Sequence, residues 1–276
     1  MFHVKHFCHT AIPYSRSGVT HTMLILSIFP GIDLLGRGFE AEGFCVVRGP
    51  DLIWGGDIRN FHPPAGKFDG IIGGPPCPDF SRGRNGLPPT GEGVEMLGEY
   101  RRMVEEAQPD WWLLENVERT PNNPVDGYTF QRLDLYAHEF GMQQRRLRHI
   151  QFGDRHERVL RIDRQKPKLC NATPTITASD GKTPWVEFVT AQGLPADFKL
   201  PTFTNGAARR AVGNGVPIPM AQALARGIQN LSTDTTNLCA CGCGRTISDN
   251  ATYALSACRT RAYRRRLADS MLRPGG

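Results

Sequence analysis

Four side chains with catalytic potential follow apolar segments of this sequence. Each stands within a few residues of a run of apolar residues, where the chain would leave a buried strand. A thiol can act as a nucleophile and a carboxylate as an acid or base, so a cysteine with acidic neighbours could perform covalent catalysis. Taken singly, each has a plainer explanation, because a loop cysteine is often structural and a carboxylate after a strand often caps a turn. The four side chains are Cys77, Glu115, Asp51 and Asp57.

Alternating strand and helix patterns predict the sheet that would bring these side chains together. Continuous apolar runs closed by Gly or Pro are typical of buried parallel strands, and the segments between them show helical spacing. The alternation predicts a doubly wound α/β sheet, in which ligands bind beyond the carboxyl ends of the strands. Strands are predicted at 23–28, 44–48, 68–74, 111–117 and 146–153, one helix at 32–42, and a second helix with Val94, Leu97, Tyr100, Val104 and Ala107 on one face.

The composition excludes a membrane-spanning or wholly disordered protein. The 276 residues are 39% hydrophobic and 22% charged, and they hold no run of about 18 apolar residues. Almost all of the net charge of +6 lies after residue 258, where six arginines stand with one aspartate. Such a basic end favours a polyanionic partner, although a merely solvated tail would explain it too.

Four cysteines near the C-terminus predict a metal site. They are Cys239, Cys241, Cys243 and Cys258, and they follow a Ser-, Thr- and Asn-rich linker at 230–237. Four thiolates suffice for tetrahedral zinc, and a short segment with few apolar residues orders itself more readily around a metal. The alternative is a set of free thiols in a disordered tail. Among the other cysteines, we interpret Cys8, Cys45 and Cys170 as incidental.

Six short motifs occur in an order that is specific as a set. Together they resemble the cytosine-C5 DNA methyltransferases, in the compact form typical of phages and prophages. The likeness runs from about Leu24 to Ile228 and implies a Rossmann-like, S-adenosylmethionine-dependent methyltransferase sheet. The motifs are FPG (29–31), GDI (56–58), GGPPCPDFS (73–81), ENV (115–117), QRRLR (144–148) and GNGVP (213–217).

The resemblance implies a covalent mechanism with four catalytic residues. Cys77 matches the nucleophile that adds to C6 of cytosine, and Glu115 matches the acid that contacts N3 and the exocyclic amine. Arg146 and Arg148 match the two arginines of the Q-x-R-x-R motif. Because the nucleophile must be a thiolate, we expect a nearby cation to favour its ionised form. To donate to N3, Glu115 should have a pKa raised by burial. The sequence identifies no base for the C5 proton, and a water could serve.

The implied methyl donor is S-adenosylmethionine. Asp51, after the second strand, is expected to bind the ribose hydroxyls, and Asp57 and Ile58 are expected to meet the adenine. A turn residue after Pro50 is the alternative for Asp51. The full set of predicted cofactor-binding residues is Phe29, Gly31, Asp51, Asp57, Ile58, Pro75, Asn214 and Val216.

The motif order also predicts the domain organisation. Residues 23–153 and 205–230 would form the catalytic domain, and 154–204 a reduced target-recognition region. Residues 237–268 would form a zinc-binding module, since 258–266 resembles the end of small zinc ribbons. Residues 1–22 are expected to be disordered or to precede a true start at Met23. In the target-recognition region, six basic residues would form one stripe if helical: Arg155, Arg158, Arg161, Arg164, Lys166 and Lys168.

The expected partner is double-stranded DNA, from which the target cytosine would be flipped out. A restriction enzyme is a candidate partner, and we expect a monomer in the cytoplasm of a bacterial or phage-infected cell, with no membrane contact. Departures from the family pattern keep two alternatives open. Pro78 replaces the usual Gln, Gln143 the usual Pro, and Ser27 and Asp33 stand in the first motif. A catalytically silent DNA-binding protein, or an enzyme acting on RNA, would fit the same sequence.

Overall fold

The computed structural model describes residues 22–81, 88, 90–165, 175–178, 180–248, 251–260 and 262–263. The predicted strands and helices are confirmed within a few residues of their expected ends. The strands are β1 Leu24–Ile28, β2 Cys45–Arg48, β3 Gly70–Gly73, β4 Trp111–Asn116, β5 Gln131–Tyr136 and β6 Leu147–Asp154. The helices are α1 Leu34–Ala41, α2 Glu92–Ala107, α3 Trp185–Thr190, α4 Asn205–Asn214 and α5 Ile218–Gln229.

Some predictions fall on residues outside those ranges. They are the disordered or misassigned start (except Thr22), Cys8, Cys170, Lys166, Lys168 and most of the arginine-rich end. Within the described ranges, no helix combines the length and apolar character needed to cross a membrane.

The six strands form one mixed sheet in the order β2-β1-β3-β4-β6-β5. The first four are parallel to one another, and β6 runs antiparallel to both β4 and β5. The carboxyl ends of the parallel strands therefore meet at one edge, as the α/β prediction requires. The sequence patterns missed β5, because its sequence QRLDLY alternates polar and apolar residues instead of forming a continuous apolar run.

Two adjacent tryptophans in β4 fix the packing on both sides of the sheet. Trp111 lies opposite Gly70 of β3, and Trp112 lies opposite Gly153 of β6. A Cβ on either glycine would lie within 2.3 Å of the facing indole, so both neighbouring strands need glycine there. The side chains alternate, with Trp111 in the cluster under α1 and α5 and Trp112 in the cluster under α2.

The helix α2 differs from its prediction at one position. Leu97, Tyr100, Val104 and Ala107 are buried as expected, but Val94 is 62% exposed. The buried face is completed by methionines of the same helix, including Met96, which is 4% exposed. The buried stripe therefore begins on the neighbouring side of the first turn, and Val94 faces away from it.

The predicted basic stripe of the target-recognition region is wrong for its described arginines. Residues 161–165 form no helix, and each arginine contacts the folded chain. Arg155 donates to the Tyr128 hydroxyl, and Arg158 pairs with Asp154 at 2.8 Å. Two others, Arg161 and Arg164, bond to backbone carbonyls in the C-terminal part of the chain. These guanidinium groups make contacts within the folded chain and do not form the single helical stripe that was expected.

Candidate active site

A cleft of about 1190 Å³ opens at the carboxyl ends of the parallel strands. It is lined by all of the catalytic and donor-binding residues that the sequence analysis selected. Such a volume accommodates a cofactor and part of a second ligand. The twelve residues are Phe29, Gly31, Asp51, Asp57, Ile58, Pro75, Cys77, Glu115, Arg146, Arg148, Asn214 and Val216.

Cys77 lies in the loop that leaves β3, where it is half-buried on the cleft wall. The approach of the loop depends on Gly73, because a Cβ there would lie 2.7 Å from the Ile28 backbone. The side-chain amide of Asn116 donates to the Pro75 carbonyl at 3.0 Å and ties the loop to β4. Beyond the thiol, the Asp79 carboxylate accepts from the backbone N–H of Gly93 at 2.9 Å and fixes the loop to α2. The thiol is thus presented from a loop anchored on both sides.

Glu115 lies at the end of β4, and its Oε1 is 2.6 Å from Nε of Arg148 on β6. The backbone pairing of β4 with β6 brings the ENV and Q-x-R-x-R motifs together. Burial raises the pKa of Glu115, against the opposing charges of Arg148 and Arg146. The predicted direction of this shift therefore appears in the structure, and its cause is loss of solvent around the carboxylate.

The pKa of Cys77 differs from the expectation of an acidic thiol. Burial raises it first and the negative charge of Glu115 raises it further, while Arg148 and Arg146 lower it by less. The predicted cations are present, but the carboxylate beside them offsets their effect. The ionisation of the thiol is therefore linked to the protonation state of Glu115.

Arg146 is 1% exposed and makes three hydrogen bonds to backbone carbonyls. Its Nη1 donates to Ile176, and its Nη2 donates to Gly213 and Gly215, all at 2.7–2.8 Å. These bonds join the residue before β6 to Ile176 and to the GNGVP motif. The guanidinium adds positive charge near Cys77, and each of its terminal nitrogens donates to a backbone carbonyl.

The loop after β1 forms the other half of the cleft. Phe29 and Gly31 adopt positive φ angles of 53° and 56°, so the backbone folds back sharply at the FPG motif. Asp51 Oδ2 accepts from the N–H of Gly31 at 2.8 Å, and Trp54 Nε1 donates to the Gly31 carbonyl at 2.7 Å. A Cβ on Gly31 would meet only Ile53, so this loop faces open space. Asp51 keeps lone pairs free for further donors.

The remaining residues that were predicted to bind the methyl donor flank this loop. Asp57 caps a 3₁₀ turn by accepting from the backbone of Arg59 at 3.0 Å, and Ile58 is buried under it. Asn214 ends α4 at the exposed side of the cleft, while Val216 is 4% exposed and joins the core. Two residues that depart from the family's first motif contact each other, since Ser27 Oγ donates to Asp33 Oδ1 at 2.8 Å. Asp33 also pairs with Arg48 at 2.8 Å.

Several cleft residues were missed by the sequence analysis. Tyr136 is 38% exposed at the end of β5, and exposed arginines surround the opening. Arg145 lies inside the QRRLR motif, and Arg119 and Arg210 lie within three residues of a motif, whereas no motif marks Tyr136. The missed residues are Arg119, Tyr136, Arg145 and Arg210.

A second cluster, outside the cleft, consists of four buried cysteines. The Sγ atoms of Cys239, Cys241, Cys243 and Cys258 all lie within 4.8 Å of one another. Cys239 and Cys241 are 3.4 Å apart and Cys243 and Cys258 are 3.9 Å apart, too far for disulfides. A tetrahedral zinc with bonds of about 2.3 Å places its sulfur ligands about 3.8 Å apart, so the donor set fits. The backbone N–H of Ala254 donates to Cys239 Sγ at 3.2 Å, as suits a charged ligand.

Comparison with known proteins gives matches to cytosine-C5 DNA methyltransferases, the family that the sequence motifs resemble. Residues 54–184 match the model of the family described as C-5 cytosine-specific DNA methylase. The type II methyltransferase M.NgoPII of Neisseria gonorrhoeae is 26% identical over 189 residues, 57% of this chain and 55% of the relative. The chain spans about half the length of the curated relatives it matches.

Solved structures extend the likeness to the fold. The Entamoeba histolytica methyltransferase EhMeth aligns with a TM-score of 0.57 and 11% identity, over 75% of this chain and 98% of that one. A candidate DNA modification methyltransferase encoded within an E. coli prophage aligns with a TM-score of 0.51 and 17% identity, over 76% and 99% of the two chains. The predicted Rossmann-like methyltransferase fold is confirmed.

Proposed function

We propose that the chain is a member of the C-5 cytosine-specific DNA methylase family, whose model residues 54–184 match, and that it transfers a methyl group to C5 of cytosine in duplex DNA. The observation that carries the proposal is the convergence of Cys77, Glu115 and Arg148 on one wall of the cleft. A nucleophile, an acid and a cation at one site are what activation of a cytosine ring requires. The flipped base would enter the cleft from its open side.

Cys77 and Glu115 act as a pair in this proposal. Burial raises the pKa of both groups and the charge of Glu115 raises that of Cys77 further, so a negative charge on one side chain disfavours a second charge on the other. The reactive form has the thiolate on Cys77 and the proton on Glu115. The sulfur lone pair forms the bond to C6, and the Glu115 proton moves to N3 of the ring. Arg148 then stabilises the carboxylate that this step leaves.

The loop at Phe29 and Gly31, together with Asp51, would hold S-adenosylmethionine, which supplies an electrophilic methyl group. The fit rests on the open space beside Gly31 and on the Asp51 carboxylate at its edge. Asp57 and Ile58 would bound the adenine side, and Asn214 at the end of α4 and Val216 in the loop after it would close the pocket. These residues would hold the methyl donor in the same cleft that Cys77 lines.

The four clustered cysteines would bind one structural zinc ion. Their spacing and burial fit a closed tetrahedral site with no position left for substrate. Purified full-length protein should contain about one zinc per chain by mass spectrometry of metals. A metal-free protein with the same thermal stability would contradict the assignment.

The decisive experiment for the enzymatic proposal uses the full chain with isotopically labelled S-adenosylmethionine. Duplex DNA of mixed sequence and structured RNA are incubated in parallel, and the nucleosides are then analysed. Labelled 5-methylcytosine in DNA is the expected result. A duplex containing 5-fluorocytosine should become covalently attached to Cys77, because loss of the C5 substituent is blocked.

Three other outcomes identify the alternatives. Label in RNA alone would assign the enzyme to RNA. Duplex binding without label or adduct would indicate the silent DNA-binding protein, which Pro78 and Asp33 leave open. No binding and no label would reject the proposal altogether. Sequencing the modified positions gives the recognition sequence.

The biological setting is part of the same proposal. The similarity to a type II methyltransferase supports a restriction enzyme as partner, with cytosine methylation protecting the host DNA. We infer a monomer, which size-exclusion chromatography with light scattering tests directly. DNA modified by this chain should resist at least one endonuclease that cuts the same sequence.

A further inference from the structure

The four-cysteine module, defined as the described residues between 237 and 263, contacts the catalytic domain through a buried carboxylate. Glu139 lies in the 3₁₀ turn Ala137–Phe140 after β5 and is 4% exposed. Its Oε1 accepts from Arg245 of the module, and its Oε2 lies 3.5 Å from Nη1 of Arg164. Arg164 also donates to the carbonyl of Cys243 at 2.6 Å. Glu139 is therefore held between two guanidinium groups. Arg245 belongs to the module, and Arg164 binds it through the Cys243 carbonyl.

Close backbone packing makes this contact specific. Gly244 has a φ of 68°, and a Cβ there would lie 2.7 Å from the Leu160 carbonyl and 2.8 Å from Leu133 of β5. The module thus lies directly against the outer strand of the sheet. A carboxylate between two largely buried arginines is costly to separate, because either charge would be left uncompensated. The position of Glu139 consequently depends on the module being folded.

The same carboxylate reaches the rim of the cleft. Glu139 Oε2 accepts from the backbone N–H of Tyr136 at 2.9 Å, and the N–H of Ala137 donates to the Arg146 carbonyl at 2.8 Å. Tyr136 lines the cleft, and its ring stacks on His138 with centroids 5.1 Å apart. The exposed side chain of Arg145 lines the same rim. One short turn therefore connects the cysteine cluster to an aromatic surface at the opening.

We propose that the four-cysteine module, acting through Glu139, positions Tyr136 to stack on a nucleobase at the rim of the cleft. The inference rests on the proposed function, since it assigns a nucleic-acid contact to the same site, but Tyr136 and Glu139 belong to none of the sequence motifs. Aromatic rings stack on every base type, and a neighbouring arginine such as Arg145 suits a phosphate. Tyr136 is the binding residue, and Glu139 is a positioning residue.

The binding role of Tyr136 is tested with a matched pair of substitutions. Tyr136→Ala should weaken the affinity of the full chain for a fluorescent duplex about tenfold, as expected for loss of one base–aromatic stack. Tyr136→Phe keeps the ring and should stay within about twofold of the unsubstituted protein. Affinity for S-adenosylhomocysteine, measured by calorimetry, should be equal in all three proteins.

The positioning role of Glu139 is tested by Glu139→Gln and by metal removal with a chelator. Both should weaken duplex affinity several-fold while leaving affinity for S-adenosylhomocysteine unchanged. The control is Glu42→Gln, which removes another ion pair with an arginine, Arg226, on a different part of the surface. It should leave both affinities unchanged. The double variant Tyr136→Ala/Glu139→Gln should be no weaker than Tyr136→Ala, because Glu139 acts through Tyr136.

The outcomes separate this inference from the proposed function. If the unsubstituted protein methylates and binds duplex DNA but Glu139→Gln and chelation leave duplex affinity intact, only the inference fails. If Glu139→Gln weakens donor and duplex binding equally, the residue has a general structural role and the inference also fails. If Glu139→Gln does not fold, the duplex affinities of the chelated protein and of the two Tyr136 variants decide whether the inference holds. If no duplex binds to the unsubstituted protein, both proposals fail.

Discussion

Two regions of this molecule use the same side chain for different chemistry. Cys77 lies half-buried on the cleft wall beside Glu115 and Arg148, whereas the four C-terminal cysteines are at most 2% exposed and face one another. In the cleft, the neighbours are ionisable groups that couple the thiol to a proton. In the module, the neighbours are the other three sulfurs, which lie close enough together to share one metal ion. The role of a cysteine is therefore set by what surrounds its sulfur.

The substitution with the largest expected effect is Cys77→Ala. Removal of the nucleophile should lower methyl transfer at least about 10⁴-fold and abolish the adduct with 5-fluorocytosine DNA. Zinc content and thermal midpoint should remain those of the unsubstituted protein, because the module packs against β5 whereas the Cys77 loop follows β3. Methyl transfer is followed with labelled donor, and metal by elemental analysis. Retention of 5-methylcytosine formation would reject Cys77 as the nucleophile.

The opposite test is Cys258→Ser in the module. A serine hydroxyl ligates zinc poorly, so the protein should lose its metal and several kcal/mol of stability, about 10 °C in thermal midpoint. Calorimetry of the full chain measures the midpoint, and Cys77 should still be alkylated in the folded fraction. An unchanged midpoint after metal loss would mean that the module contributes little to the fold.

A third substitution acts on the neighbour instead of the thiol. Glu115→Gln removes the negative charge that raises the pKa of Cys77, while Arg148 and Arg146 remain. The thiolate fraction at neutral pH should rise, so alkylation by iodoacetamide should become several-fold faster, up to about tenfold per unit of pKa. The pH at which alkylation accelerates should move down. Methyl transfer should fall, because the proton for N3 is lost.

The control for Glu115→Gln is Asp51→Asn. This substitution alters a carboxylate that accepts from the Gly31 N–H in the loop after β1. It should weaken donor binding and leave the alkylation rate of Cys77 unchanged. Equal alkylation rates in Glu115→Gln and the unsubstituted protein would show that the two side chains are not electrostatically linked.

The two regions also differ in how far the sequence could predict them. The cleft residues follow strand ends, and a parallel sheet brings strand ends together whatever the details of packing, so Cys77 and Glu115 could be found from periodicity and motif order. The protonation of Cys77 could not, because it depends on whether the carboxylate or the arginines dominate in a desolvated site. That balance is a property of distances, and the sequence contains none.

Polar contacts between residues far apart in the chain were the other feature that the sequence could not predict. β5 escaped prediction because its polar residues are used in the fold, as when Gln131 donates to the Leu160 carbonyl at 2.9 Å. Arg164 looked like part of a phosphate-binding stripe, yet it is buried against Glu139 and the Cys243 carbonyl. Residues that are 79 positions apart in the chain determine its role. A charge pattern alone cannot distinguish a free guanidinium from one that is buried.

The smallest expected effect belongs to Cys45→Ser on β2. Cys45 is half-buried and lies in neither cluster, and its backbone N–H donates to the Met23 carbonyl whatever the side chain. If the surroundings of the sulfur decide its role, this substitution should leave zinc content and adduct formation unchanged and alter stability by less than about 1 kcal/mol. Denaturant titration measures the stability, and the trapping assay measures the adduct. Loss of metal or of adduct in this variant would contradict the comparison. It would show that the role of a cysteine is not set by whether its sulfur lies beside other sulfurs or beside Glu115.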